Sequence, residues 1–266
     1  MLNFAAIVPH PPSIIPGVPK ANLSPVKKTI KALHELGDEL KKFQPETIII
    51  VSPHGPMRYD KFTINLKDNY KGSFARFGIQ DEETRFFRND KILSSKLFRK
   101  IKSVNLPIDP IMEEDIDYGS LIPLHYLTKS MVKKPKIIML TFTSQDWKTH
   151  FDFGCHIKNI LNETEYNVAF IASADLSHRI TDNSPAGFSP YGIKFDQTLI
   201  KLLKKNDLEK LLDINPEFSE EAQECGLRSI MMALGVVNSS EADFVQLSYE
   251  HPFGVGYLTG RWKLKK

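Results

Sequence analysis

Apolar residues along this chain fall into two rhythms. The first is continuous: Thr47-Ile48-Ile49-Ile50-Val51 places five β-branched residues in succession. Such a run cannot alternate between core and water, so it predicts a strand buried on both faces, as in a parallel sheet covered by helices. Leu2 to Val8, Lys136 to Leu140 and Val168 to Ser173 have the same character. Each run stops at polar or chemically capable residues: Pro9-His10, Ser52-Pro53-His54-Gly55, Thr141 to Ser144, and Ser173-Ala174-Asp175-Leu176-Ser177-His178. Carboxyl ends of strands are where open α/β sheets hold ligands, so the pattern predicts one crevice lined by strand ends.

The second rhythm is helical. Ile30, Leu33, Leu36 and Leu40 predict a helix from an N-cap at Ser24, with Pro25 at its first position, to about Lys42. Further helices are expected over Asp81 to Leu97, over Leu121 to Leu127 with Pro123 in the first turn, and over His150 to Thr164. Gly192 to Lys204, the short Asp207 to Leu212 and Pro216 to about Gly235 complete that set. Alternation at Phe62, Ile64 and Leu66 predicts a strand with one exposed face, and Val104 to Leu106 a short one. Tyr70 to Ile79 reads as a loop or lid, and Phe244 to Tyr249 and Val255 to Trp262 as closing strands. The sum is an α/β single domain: a central mixed, mostly parallel sheet with helices on both faces.

Composition narrows the class. The 266 residues, 41% hydrophobic and 25% charged with a net charge of +3, suit an ordinary globular chain. Lys41-Lys42 and Lys133-Lys134 read as solvated surface, and no basic stripe is interleaved with aromatics, so nucleic acid is not an expected partner. No apolar run reaches membrane-spanning length and no signal peptide is discernible; a cytoplasmic location is expected. The two cysteines, Cys155 and Cys225, cannot form a disulfide framework.

Of eight histidines, His10, His54 and His178 directly follow predicted buried strands. Histidine and carboxylate donors with open positions suit non-haem Fe(II), and histidine with an open position also suits catalytic zinc. The bland reading is that these are satisfied structural histidines. A third ligand has four candidates: Asp175, Glu224, Cys225 and Glu250. His34, His125, His150 and His156 read as surface or packing residues, whereas His251 lies in a turn between the terminal strands.

Five motifs in order, Val8-Pro9-His10-Pro11-Pro12, Val51-Ser52-Pro53-His54-Gly55, Ser173 to Arg179, Ala222-Gln223-Glu224-Cys225-Gly226-Leu227-Arg228 and Ser248 to Tyr257, together resemble the LigB-like catalytic subunits of class III extradiol ring-cleavage dioxygenases. More narrowly they resemble the branch associated with AMMECR1-type domains and distantly related to the Memo proteins. The resemblance implies Fe(II), alternatively Zn(II), held by His10, His54 and Glu224. It further implies His178 as catalytic acid/base with Asp175 orienting it, and Tyr118 and His251 as substrate-binding residues. Tyr118 stands where the dioxygenases carry a histidine, and a cysteine occurs in the Glu224 region of Memo-like members, next to which Cys225 lies here. The implied partners are a small aromatic substrate and dioxygen, with a homodimer or an AMMECR1-type or small-subunit partner. The competing expectations are a Memo-like metal-binding protein without dioxygenase activity, serving as a hydrolase or redox protein, and a protein-interaction module.

Overall fold

The computed structural model describes residues 1–15, 17–18, 23–79, 84–238 and 242–265. In chain order the strands are β1 (Leu2–Val8), β2 (Thr47–Val51), β3 (Phe62–Asn65), β4 (Asn69–Gly72), β5 (Arg85–Arg88), β6 (Ile108–Ile111), β7 (Lys136–Thr141), β8 (Val168–Ser173), β9 (Ala242–Glu250) and β10 (Tyr257–Leu264). The helices are α1 (Lys27–Phe43), α2 (Lys91–Ser103), α3 (Tyr118–Thr128), α4 (Trp147–Asn162), α5 (Gly192–Lys205), α6 (Leu208–Leu212), α7 (Pro216–Ala222) and α8 (Leu227–Val237).

Eight strands form one mixed sheet in the order β6-β3-β7-β2-β8-β1-β10-β9, while β4 and β5 form a separate hairpin. The centre, β7-β2-β8-β1, is parallel throughout. Its uninterrupted hydrophobicity now has its cause. In β2, Ile49 and Val51 join the core under α2, α4, α5 and α8, whereas Ile48 and Ile50 join the core under α1 and α3. Both faces of every central strand are therefore covered, which fixes the register that an alternating strand gets from its solvent face.

Several expectations are corrected. The strand at Phe62 has no exposed face, because it is inserted between β6 and β7 and its ring stacks on Phe153 with centroids 3.9 Å apart. Tyr70 is not in a loop but in the hairpin strand β4, and Arg85–Arg88 is that hairpin's second strand rather than helix. Residues 81–83 of the expected helix lie outside the described residues; α2 starts only after Asp90, whose side chain accepts the Leu93 N–H. Val104 to Leu106 is a turn, with Asn105 in the left-handed region at φ 60°, and the strand follows at β6. Ser24 and Pro25 form a 3-10 turn, and α1 is capped from a distance: the Glu250 carboxylate accepts Thr29 N–H (2.6 Å) and Thr29 Oγ1–H (2.8 Å). Finally, the helix expected from Pro216 to Gly235 is two helices. Gln223 takes φ 50° and ends α7, leaving Glu224, Cys225 and Gly226 as a connecting turn before α8.

That turn leads into α8, which packs closely on α4 through two glycines. A Cβ at Gly235 of α8 would lie 2.0 Å from the Phe151 carbonyl oxygen of α4, and one at Gly154 of α4 would lie 2.1 Å from that of Met232. Both obstacles are backbone, so a larger residue must separate the helices. No described helix is long and apolar enough to cross a membrane.

Gly235→Ala is expected to destabilise the protein by about 1–3 kcal/mol, the usual cost of overpacking, read as a lower midpoint in urea. An unchanged midpoint would show that the helices have room to spare.

Candidate metal centre

β8 lies between β1 and β2 with Val8 paired to Ser173 and Val51 to Ala172, so the two flanking strands end within one residue of each other. His10 follows β1 and His54 follows β2. Their side chains turn toward each other over the end of β8, bringing the two Nε2 atoms to 3.1 Å.

His10 is buried, at 1% exposure. Its backbone N–H donates to Asp175 Oδ1 at 2.9 Å, and its ring Nδ1 lies 2.8 Å from Ser173 Oγ. The Ser173 hydroxyl donates its single proton to the Gly119 carbonyl oxygen. Toward His10 the serine oxygen is then free to accept, an arrangement that suits a proton on Nδ1 and an Nε2 lone pair facing the centre. His54 stands at the mouth, its ring stacked on Tyr118 (4.2 Å, 23°) with the Tyr118 hydroxyl 2.8 Å from Nε2. Below it, Ser52 donates to Asp117, whose carboxylate also accepts the Ser120 N–H at the start of α3.

Among the described residues the donor atom that clusters with both histidines is Cys225 Sγ, 3.5 Å from His10 Nε2, the three donor atoms lying within 4.8 Å of one another; Asp175 Oδ2 lies 3.9 Å from His10 Nε2. Glu224, implied as third ligand, is turned away. Its Oε2 accepts the Leu227 N–H at 2.6 Å and its Oε1 the Ser219 hydroxyl at 2.7 Å. The break at Gln223 explains the exchange: a new helix begins at Leu227 with unsatisfied N–H groups, Glu224 satisfies one of them, and the next side chain projects to the histidines.

Burial sets the protonation states. It holds His10 well below the usual histidine range, reinforced by His54 and His178, and it also lowers His54 and His178. Desolvation pushes the Cys225 thiol well up, with Asp175 and Glu224 adding repulsion. Burial raises the Asp175 carboxyl to about 7 and the Tyr118 phenol to about 12. Near neutral pH the site thus offers neutral imidazoles, a protonated thiol and a phenolic donor. Two imidazole nitrogens and a sulfur fit a transition-metal or zinc ion, whose charge would stabilise the thiolate that burial disfavours.

His178 and Asp175 line the same cleft, of about 260 Å³, together with His10, His54, Tyr118, Phe253, Val255 and Tyr257. His251 is exposed and is not among the lining residues. Glu250 is occupied in capping α1. His150 is structural: Nδ1 faces the Asp146 carbonyl oxygen at 2.7 Å and Nε2 accepts the Thr143 N–H at 3.3 Å. Sequence reasoning left Ser52 and Ser173 without a role, although each closes a buried strand just before a candidate residue, which was the available signal.

The model of the family described as the catalytic LigB subunit of aromatic ring-opening dioxygenase matches residues 4–260. The chain belongs to the LigB family. Protein CA_C1420 of Clostridium acetobutylicum is 32% identical over 265 residues, covering 96% of this chain and 56% of that protein, so the chain spans little more than half of that relative. The 3,4-dihydroxyphenylacetate 2,3-dioxygenase of Escherichia coli is 23% identical, covering 91% of this chain and 92% of that one. Among solved structures, protein JW3007 of Escherichia coli K12 superposes with a TM-score of 0.69 at 14% identity, over 97% of this chain and 98% of that chain, a likeness of fold. The LigB fold and a His-His-Cys cluster able to hold a metal ion are thus both present.

Because the Cys225 thiol must lose its proton to bind a metal while the histidines are already neutral, apparent metal affinity is expected to rise by about tenfold per pH unit from pH 6.5 to 8.5. Competition against a chromophoric chelator measures this. A pH-independent affinity would exclude the thiol as a ligand.

Proposed function

We propose that this LigB-family chain is a Memo-like metal-dependent protein whose ion is held by His10, His54 and Cys225, with Zn(II) preferred and hydrolysis as its chemistry. The observation that carries the reading is the donor set. Fe(II) oxygenases of the two-histidine type take a carboxylate as third ligand, whereas thiolate favours softer ions. Here the carboxylate at the corresponding place is engaged at both oxygens, one by the Leu227 N–H at the start of α8 and the other by the Ser219 hydroxyl of α7.

Three protein donors would leave a position open to the cleft, and the bound ion would supply Lewis acidity there. The protein's own groups have distinct parts. His178, neutral because it is buried, accepts a proton from a group in the cleft. Tyr118 stays protonated and donates a hydrogen bond. Asp175 holds the backbone of His10, and because burial raises its carboxyl to about 7 it passes between neutral and charged forms near neutral pH. Phe253, Val255 and Tyr257 give an apolar wall for a compact substrate. His251 has no part in this reading.

The second reading, Fe(II)-dependent opening of a catecholic ring with dioxygen, draws on the Escherichia coli relative named as 3,4-dihydroxyphenylacetate 2,3-dioxygenase and on the family description. Copper is the competing soft ion for the first reading.

Anaerobic titration with Zn(II), Cu(I) and Fe(II), followed by oxygen-electrode assays of the Fe(II)-loaded protein with a panel of catechols, separates the readings. The expected result is one Zn(II) per chain, bound ~100-fold more weakly after Cys225→Ala but within ~3-fold of wild type after Glu224→Gln, and no catechol-dependent oxygen uptake. Oxygen uptake dependent on Fe(II), His10 and His54 would overturn the proposal in favour of ring opening.

A further inference from the structure

Pro123 was expected in the first turn of its helix, yet α3 begins at Tyr118 and the proline stands in the interior. Without an N–H it cannot donate to the carbonyl four residues back, and its ring pushes that carbonyl outward. The carbonyl in question belongs to Gly119. It is the one that accepts the Ser173 hydroxyl, and Ser173 is the residue against His10 Nδ1.

The same turn is seated tightly against the other histidine. A Cβ on Gly119 would lie 2.5 Å from Ser52 Oγ and 3.0 Å from His54 Cδ2. Position 119 therefore admits no side chain, and this turn of α3 packs its backbone directly on the strand end that carries His54. Its carbonyl gets no N–H from Pro123, and Ser173, buried at the last position of β8, donates to it instead.

We propose that Pro123 and Ser173 form one positioning device for His10: the proline frees the Gly119 carbonyl, the carbonyl takes the Ser173 proton, and the serine oxygen is left to accept from Nδ1–H, which presents the Nε2 lone pair to the centre. Exchange of the Ser173 proton to the His10 side would leave a buried carbonyl without a donor, which is a costly arrangement. That cost selects the tautomer before any ion arrives. The inference rests on His10 being a donor, as proposed above, only for its consequence in metal affinity; the tautomer itself belongs to the metal-free protein.

The test is long-range ¹H–¹⁵N correlation of the histidine rings in metal-free protein, with Zn(II) affinity measured alongside. His10 is expected to be protonated at Nδ1 in the wild type. Ser173→Ala should populate the Nε2-protonated form and lower Zn(II) affinity by ~10- to 100-fold, the usual range for a group that orients a metal-binding histidine. Pro123→Ala, which restores an N–H to compete for the Gly119 carbonyl, should shift the tautomer the same way and lower affinity by ~3- to 10-fold, but add nothing in the Ser173→Ala background. If the Ser173 variant does not fold, Pro123→Ala decides alone. A wild-type His10 protonated at Nε2, or tautomers unmoved by the substitutions, would overturn the proposal. The expected tautomer shifts without Zn(II) binding would uphold the device and remove the zinc reading instead.

Discussion

The molecule depends on three parallel strands that end within one residue of each other. β8 lies between β1 and β2, and strands in a sheet are about 4.8 Å apart, so residues leaving β1 and β2 start roughly 10 Å from each other. Two imidazoles facing inward span that gap and meet at 3.1 Å. Nothing local to either histidine could bring this about. It follows from the register of Val8 with Ser173 and Val51 with Ala172, which in turn follows from cores packed on both faces of the sheet. The chemistry stands at the ends of the most deeply buried strands of the fold.

From this follows the electrical character of the site. His10 and Asp175 are buried and Cys225 is half-buried, and desolvation shifts each toward its neutral form. Neutrality suits the histidines as ligands at once and makes the thiol conditional on a cation. Around them, polar groups satisfy each other in closed sets: Ser52 with Asp117, Ser173 with Gly119 and His10, Glu224 with Leu227 and Ser219. Such sets fix orientation, because breaking one member leaves another buried without a partner.

What could be read from the sequence was whatever one strand or one helix decides alone. The central strands, the faces of α1 and α4, and the pairing of a buried strand with a terminal histidine are legible in Thr47 to His54 as written. Features set by a second element were not. The cap of α1 comes from Glu250, more than two hundred residues away, so Ser24 only looked like the cap. Arg85–Arg88 forms a strand because β4 is there to pair with it. The choice between Glu224 and Cys225 turns on a single left-handed residue, Gln223, and periodicity through Pro216 to Gly235 reads straight across that break. Pro123 was legible as an anomaly, but its consequence lies in β8.

The central claim is that two imidazole nitrogens and one sulfur surround a common point. X-ray absorption at the zinc edge on protein loaded with one equivalent of Zn(II) reads that shell directly. The account predicts a single sulfur scatterer at about 2.3 Å beside nitrogen at about 2.0–2.1 Å, with the sulfur lost in Cys225→Ala. A shell of nitrogen and oxygen alone in the wild-type protein would contradict it.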